Sequence, residues 1–315
     1  RSHFGSRRPW AQGKAPPPAA PAMAPKRTGS GGRLLLAGQR PSSGPRRRLA
    51  KAPRRQAEKG GRKPVAEADR RMSKVLTFGL RSHPRLVVVM LHGLNDSATS
   101  CAEGVAERWA AGLPGALVAV PQSPDRSIWD DDPADPGYDW LRQRGAQDVS
   151  DWAANVREIH RVTRARLRQL NRWLDGLLAK HGLTDRQLIL TGFSQGAILA
   201  ALCGAQRRAL GVVVCGGVPG QPVYSREADD YVGGGWPDWE RLLPKPARAA
   251  AKQTRFCAVN GTEDGCVPRE ENEAMLAHYE TFWHWDRGVG HDFPDHWYAV
   301  ALRWMRRLVK EAASS

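Results

Sequence analysis

Short apolar runs, separated by segments of helical periodicity, divide most of the chain into alternating predicted strands and helices. The runs are nearly continuous, which is typical of strands buried on both faces of a parallel sheet. They cover Leu86–Leu91, Ala116–Val120, Leu188–Leu190, Gly211–Cys215, Phe256–Val259 and Thr281–Trp285, and Val75–Leu80 fits an edge strand. The pattern predicts an α/β fold with a mostly parallel central sheet and helices on both faces, joined by right-handed crossovers.

The clearest helical pattern covers Asp151–Lys180, and a second helix is predicted from about Pro294 to Ala312. In the first, apolar residues recur at gaps of three and four and form one stripe: Trp152, Val156, Ile159, Thr163, Leu167, Leu170, Leu174 and Leu178. We expect the arginines of this helix to lie largely away from the stripe, on a solvated face; they include Arg157, Arg161, Arg164, Arg168 and Arg172.

The segment Arg186–Leu202 joins a predicted strand directly to a predicted helix through the turn Gly-Phe-Ser-Gln-Gly. Gly192 and Gly196 have no Cβ, so strand and helix can approach closely. The Ser194 hydroxyl is then displayed at the carboxyl end of the sheet, where a nucleophile is useful. The alternative is a glycine-rich turn that holds an ordinary serine.

Two later loops supply candidate partners for Ser194. Asp264 lies in VNGTEDGCVP after the Phe256–Val259 run, with Glu263 as its rival; taken alone, this segment favours an Asp-Gly turn residue. His291 lies in GVGHDFPDH before the last helix, whereas the rival His296 falls inside that helix. A base and an acid from these loops would meet Ser194 at the same edge of the sheet.

Backbone N–H groups of Leu94 and Gln195 are candidate donors to an oxyanion. Leu94 lies in the LHGLNDS turn after Leu86–Leu91, and Gln195 follows the candidate nucleophile at the start of a helix. Two such donors would stabilise the charge of a tetrahedral intermediate. The alternative for this segment is an ordinary polar turn.

The order Ser194, Asp264, His291 is the nucleophile, acid, base order of α/β-hydrolases. The motifs LHGLNDS and GFSQG resemble the LHGLGDS and nucleophile motifs of the phospholipase/carboxylesterase family, which includes the acyl-protein thioesterases. PGYDWLR at 136–142 is similar to that family's short segment ending in an aromatic pair. This resemblance covers about Leu86–Arg307. It implies an α/β-hydrolase fold, the triad named above, and an oxyanion hole at the two donors named above.

The chain departs from the family pattern at three positions. Asn95 and Ala197 stand where glycine is usual or common, and Asn260 replaces the usual histidine of the HGxxD segment. None of these departures touches the predicted triad, but they leave the substrate range open.

The predicted chemistry needs no metal and no organic cofactor. His291 accepts the Ser194 proton as the hydroxyl attacks an ester or thioester carbonyl, Asp264 orients the imidazole, and water then cleaves the acyl-enzyme. The expected partner is an acyl ester or thioester, with an acylated protein or a lysolipid as candidates, and short to medium acyl chains preferred.

Aromatic residues of an insertion over 218–246 are candidate parts of a lid or acyl pocket. We predict substrate contacts for Trp236 and, outside the insertion, for Trp140; Tyr231, Trp239 and Trp129 are further candidates. The alternative is that these aromatic side chains only cover core surface.

Composition separates a basic tail, predicted over residues 1–73, from a catalytic domain predicted over 74–315. Residues 1–80 hold 20 Lys or Arg and three acidic residues, whereas the remainder holds 28 basic and 29 acidic residues. The formal net charge of +16 is therefore a property of the tail. Its Pro-, Gly- and Ser-rich composition predicts disorder.

Three interpretations of the tail compete: a transit peptide, leader sequence before Met23 or Met72, and a nucleic-acid-binding arm. No aromatic residues lie among Arg46–Arg48 or Arg54 and Arg55 to stack on bases, so we expect no nucleic-acid partner. A catalytically silent hydrolase-fold protein that acts through this tail is the alternative to an enzyme.

Five cysteines without CxxC spacing predict neither a disulfide framework nor a zinc site, and they favour a reducing compartment. No run approaches the ~20 apolar residues of a transmembrane helix. We therefore expect a cytoplasmic protein, with organelle import through the tail as the alternative. The sequence leaves the oligomeric state open.

Overall fold

The computed structural model describes residues 72, 74–127, 136–141, 152–217, 223–225, 230–232, 254–267, 269–277 and 279–314. The predicted tail over 1–73 lies outside these residues, except for Met72, and so does most of the predicted insertion over 218–246. Predictions for these segments stay predictions.

Eleven strands lie in the described part of the chain. They are β1 (Val75–Gly79), β2 (Leu86–Leu91), β3 (Ala116–Pro121), β4 (Asp125–Arg126), β5 (Tyr138–Asp139), β6 (Leu188–Phe193), β7 (Gly211–Cys215), β8 (Val223–Ser225), β9 (Asp230–Val232), β10 (Arg255–Gly261) and β11 (Thr281–Asp286). Seven of them form one sheet in the order β1-β3-β2-β6-β7-β10-β11. All neighbours in this sheet are parallel except the edge strand β1, which is antiparallel to β3. The predicted α/β architecture, including the edge position of the Val75 run, is confirmed.

The described helices are α1 (Ala98–Cys101), α2 (Glu107–Gly112), α3 (Trp152–His181), α4 (Gln195–Arg207), α5 (Arg269–Leu276) and α6 (Asp295–Ser314), with a π-helical turn at Ala102–Ala106 between α1 and α2 and a 3₁₀ turn at Asp185–Gln187. None of these helices combines the length and apolar character needed to cross a bilayer. The two long helices lie within two residues of their predicted bounds.

Side chains of each central strand point alternately into two cores, one on each face of the sheet. On β2, Val87, Val89 and Leu91 belong to the core under α3 and α4, whereas Val88 and Met90 belong to the core under α2 and α6. Because both faces are covered, the strand is apolar at every position.

The apolar stripe of α3 lies against the sheet as predicted, wherever its side chains are described. Thr163, Leu167, Leu170, Leu174 and Leu178 are all buried, and Arg161, Arg164, Arg168 and Arg172 are exposed. Arg166 is an exception to the solvated face, because only 3% of its side chain is exposed.

Candidate active site

Ser194 lies between β6 and α4 in a backbone conformation that non-glycine residues rarely adopt, with φ 50° and ψ −119°. Its N–H donates to the carbonyl of Cys215 at the end of β7, 3.1 Å away, and its carbonyl accepts from the N–H of Ile198 in α4. The turn is therefore fixed to the neighbouring strand and to the helix that follows. Such strain is typical of functional positions.

Gly192 and Gly196 have the role that the sequence predicts. A Cβ on Gly192 would overlap the Gly196 carbonyl group, and a Cβ on Gly196 would overlap the carbonyl oxygens of Leu91 and His92. The missing side chains let α4 begin directly against β2 and β6.

His291 lies between Ser194 and Asp264 and is bonded to both. Its Nε2 is 3.0 Å from Ser194 Oγ, and its Nδ1 is 2.9 Å from Asp264 Oδ2. An ionised carboxylate can only accept, so Nδ1 carries the proton and Nε2 is free to accept from the hydroxyl. The Asp264 side chain is fully buried, whereas 24% of the His291 side chain is exposed.

The rival residues lie elsewhere. Glu263 is exposed, and His296 lies on α6, where its Nε2 contacts Asp286. The structure thus brings together the three residues named from the sequence, whereas Glu263 is exposed and His296 contacts a different carboxylate.

Further contacts hold the acid and the base. The N–H of Cys266 donates to Asp264 Oδ1 at 3.0 Å, which leaves Oδ2 for the histidine. The ring of Phe193 stacks on the His291 ring, with centroids 5.2 Å apart. Burial and then the Asp264 carboxylate raise the pKa of the Cys266 thiol.

The turn that carries Leu94 follows β2 at the same edge of the sheet. β2 and β6 are parallel neighbours, with Leu91 opposite Gly192, so the segments after both strands lie side by side. The next residue, Asn95, has φ 52°. Asparagine tolerates this left-handed conformation better than most residues, which accounts for the first departure from the family pattern.

His92, at the start of this turn, is buried and neutral. The Ser123 N–H donates to its Nε2 at 3.1 Å, so Nδ1 carries the proton and donates to the Gly93 carbonyl at 2.8 Å. Burial lowers the pKa of His92, and the nearby Asp96 only partly opposes this effect. The ring therefore connects the turn rigidly to the segment after β3.

Trp140 lies beneath this turn and does not face a substrate. Its side chain is fully buried, its indole N–H donates to the His92 carbonyl at 3.0 Å, and its ring packs on the His92 ring. The prediction of a substrate contact for Trp140 is therefore corrected to a supporting position, because a ring with no exposed surface cannot touch a ligand. Trp236 lies outside the described residues.

The Gln195 side chain has a role that sequence reasoning missed. Its Oε1 accepts from the N–H groups of Trp140 and Leu141, both at 3.1 Å. No sequence signal marks this contact, since the bonded residues lie 55 and 54 positions apart.

Arg166 supports the same segment from α3. Its Nε donates to the Trp140 carbonyl at 3.0 Å, and its guanidinium also bonds Asp125 and Gln169, all of them buried. A signal was present here, because position 166 is three residues after Thr163 and four before Leu170 and so lies on the apolar stripe.

Comparisons with known proteins bear on the fold and on the family pattern of the chain. The model of the phospholipase/carboxylesterase family matches residues 79–225, from the end of β1 past the Ser194 turn. No curated protein matches the sequence.

This chain aligns with solved structures of the same fold over nearly the whole length of those structures. The Thermus thermophilus protein TT1662 has a TM-score of 0.52 at 20% identity, covering 74% of this chain and 92% of that one. Acyl-protein thioesterase 2 of Zea mays has a TM-score of 0.52 at 14% identity, covering 75% and 98%. A phospholipase/carboxylesterase of Dyadobacter fermentans has a TM-score of 0.50 at 16% identity, covering 73% and 94%. At such identities the similarity shows the fold alone.

Fold and family pattern together indicate a hydrolase of the esterase type. The chain carries the sequence pattern of the phospholipase/carboxylesterase family over residues 79–225, within an α/β-hydrolase fold.

Proposed function

We propose that this protein is a serine hydrolase that cleaves carboxylic esters or thioesters through an acyl-enzyme. The observation that supports this most directly is the pair of hydrogen bonds from Ser194 through His291 to Asp264, at 3.0 and 2.9 Å. A serine, a base and a buried carboxylate in this order are the parts that nucleophilic acyl transfer needs.

The bond directions assign a role to each side chain. His291 Nε2 takes the hydroxyl proton as Ser194 Oγ attacks the carbonyl carbon, and then gives that proton to the leaving alcohol or thiol. Asp264 stabilises the imidazolium that forms and stays ionised. Water attacks the acyl-enzyme with His291 again as base.

The N–H groups of Leu94 and Gln195 serve in this proposal as the oxyanion hole. The start of α4 lies against the end of β2, which supports convergence of these two donors. The Gln195 side chain holds the start of α4 against the Trp140 segment. Loss of one oxyanion donor lowers the rate of such an enzyme by about 10²–10³-fold.

The substrate class follows from the leaving groups that this chemistry accepts. Esters and thioesters with short to medium acyl chains are our first choice, and an acylated protein or a lysolipid is the alternative carrier of the bond that is cleaved. The family pattern of phospholipases and carboxylesterases over 79–225 supports this class.

Labelling with a fluorophosphonate probe and hydrolysis of p-nitrophenyl butyrate test the proposal. The wild-type protein should be labelled and active, whereas Ser194→Ala should lose labelling and about 10⁶-fold in kcat, as expected when the nucleophile of a triad is removed. Esters of graded acyl length and a palmitoylated peptide then define the substrate.

Ser97→Ala is the matched control, because Ser97 caps α1 through its bond to the Ser100 N–H and is no part of the triad. This variant should keep its labelling. A folded Ser194→Ala variant that is still labelled, or that hydrolyses the ester at the wild-type rate, would refute the assignment.

A further inference from the structure

Cys266 brings a third type of ligand atom to Asp264 and His291. A carboxylate oxygen, the Cys266 Sγ and an imidazole nitrogen all lie within 4.8 Å of one another. Of the five cysteines, Cys266 is the exposed one and the other four are buried. The cluster can therefore be reached from solvent through the thiol and through the partly exposed imidazole.

These three donors are the set that Zn²⁺ binds in proteins. Zinc takes thiolate sulfur at about 2.3 Å and imidazole nitrogen or carboxylate oxygen at about 2.0–2.2 Å, in tetrahedral geometry. Donors around such an ion lie roughly 3.5 Å apart. The Asp264 and His291 atoms, 2.9 Å apart, therefore have to separate by roughly 0.5 Å, and the Cys266 sulfur has to approach by roughly 1 Å. Rotation of the exposed Cys266 side chain supplies that movement, and the fourth position is left for water.

We propose that Asp264, Cys266 and His291 form a Zn²⁺ site whose occupation switches off the hydrolase. The inhibitory part rests on the proposed function, whereas the binding part stands on the cluster alone. The site overlaps the triad, since it uses two of its three members.

Inhibition follows from the lone pairs of the imidazole. A neutral ring has one nitrogen that can accept, and Nε2 of His291 has that role towards Ser194. Zinc on Nδ1 moves the ring proton to Nε2, which then cannot take the hydroxyl proton. Zinc on Nε2 occupies the base directly. Both modes stop proton transfer, and the thiol proton is released to solvent as the sulfur binds.

The binding arm of the test does not depend on catalysis. Zinc is titrated into apo Ser194→Ala protein in competition with a chromophoric chelator, and one tight site is expected. Adding Cys266→Ser should weaken that site by about 100-fold, because losses of 10–100-fold already follow from changes behind the ligands.

The activity arm compares the rate of p-nitrophenyl butyrate hydrolysis with micromolar Zn²⁺ to the rate with EDTA. For the wild type, the rate with Zn²⁺ should be about one tenth or less of the rate with EDTA, and adding EDTA to the zinc-treated protein should restore the rate. For Cys266→Ser, the two rates should be nearly equal. His296→Gln is the matched control. This variant removes a different His–Asp contact, between His296 on α6 and Asp286, which lies outside the proposed cluster and its cysteine. It should keep the zinc sensitivity of the wild type.

The results separate this proposal from the proposed function. Zinc binding that needs Cys266, in a protein without esterase activity, would support the site and refute the function. An active enzyme whose zinc affinity is the same in the wild type and in Cys266→Ser would overturn the site. Zinc that raises the rate would overturn the inhibitory role.

Discussion

Replacing Arg166 by methionine should destabilise the fold strongly, although the residue lies on a helix whose other described arginines mostly face solvent. The side chains of Arg166 and Asp125 are each only 3% exposed and form an ion pair. Methionine keeps much of the apolar stem and removes the guanidinium. Asp125 then loses this buried cationic partner, and the Trp140 carbonyl loses the Nε donor.

The expected loss follows from this burial. Removing one partner of a buried ion pair costs about 3–5 kcal/mol. For a domain of this size, each kcal/mol shifts the melting temperature by about 2–4 °C, so the variant should melt roughly 10 °C lower.

Urea unfolding followed by circular dichroism gives the free energy of unfolding for Arg166→Met and for Arg168→Met. Arg168 is an exposed arginine two residues further along α3, and its replacement should change the free energy by less than about 0.5 kcal/mol. The comparison separates loss of the buried pair from loss of a positive charge on the helix.

A double variant tests the cause. Adding Asp125→Asn to Arg166→Met removes the buried carboxylate charge and should recover a free energy of unfolding of about 1–3 kcal/mol. The reasoning from burial is wrong if the free energies of unfolding of Arg166→Met and Arg168→Met differ by less than about 0.5 kcal/mol. It is also wrong if adding Asp125→Asn to Arg166→Met lowers the free energy of unfolding further.

Three further outcomes are expected. Gly176→Ala should raise the free energy of unfolding by about 0.5–1 kcal/mol, because Gly176 lies in α3 and the space that a Cβ would take there is open; urea titration measures this. Gly196→Ala should lower both stability and ester hydrolysis, because its Cβ would overlap the Leu91 and His92 carbonyls, and an unchanged melting temperature would contradict the close approach. Burial lowers the pKa of His92, so the unfolded state takes up a proton near pH 6.5 that the folded state refuses. Stability is therefore kept above about pH 6.5 and falls below it by up to about 1.4 kcal/mol per pH unit. Urea unfolding at pH 7 and pH 5 should show a smaller loss for His92→Gln than for the wild type.

Sequence periodicity predicts the central sheet well because its strands are buried on both faces. The pattern locates Leu86–Leu91 and Gly211–Cys215 to the residue, since a fully buried strand is apolar throughout its length. The strands β4 and β5 have two residues each, too few for any pattern, and periodicity misses them.

The relative positions of Ser194, Asp264 and His291 could be anticipated because parallel strands place the loops after them at one edge of the sheet. The surroundings of these residues could not be anticipated in the same way. Trp140 is an aromatic residue near the site, and composition alone does not tell a ring beneath a turn from a ring in a pocket. That distinction depends on contacts with His92 and Gln195, which are distant in sequence.

The proposed nucleophile, Ser194, has a backbone conformation that is unfavourable for any residue with a side chain. At φ 50° and ψ −119° a side chain costs about 1–3 kcal/mol that glycine avoids. A Ser194→Gly protein should therefore be inert and yet withstand heat better than the wild type. Stability alone would favour glycine at this position. We infer that the proposed turnover is the reason for a hydroxyl in this strained turn.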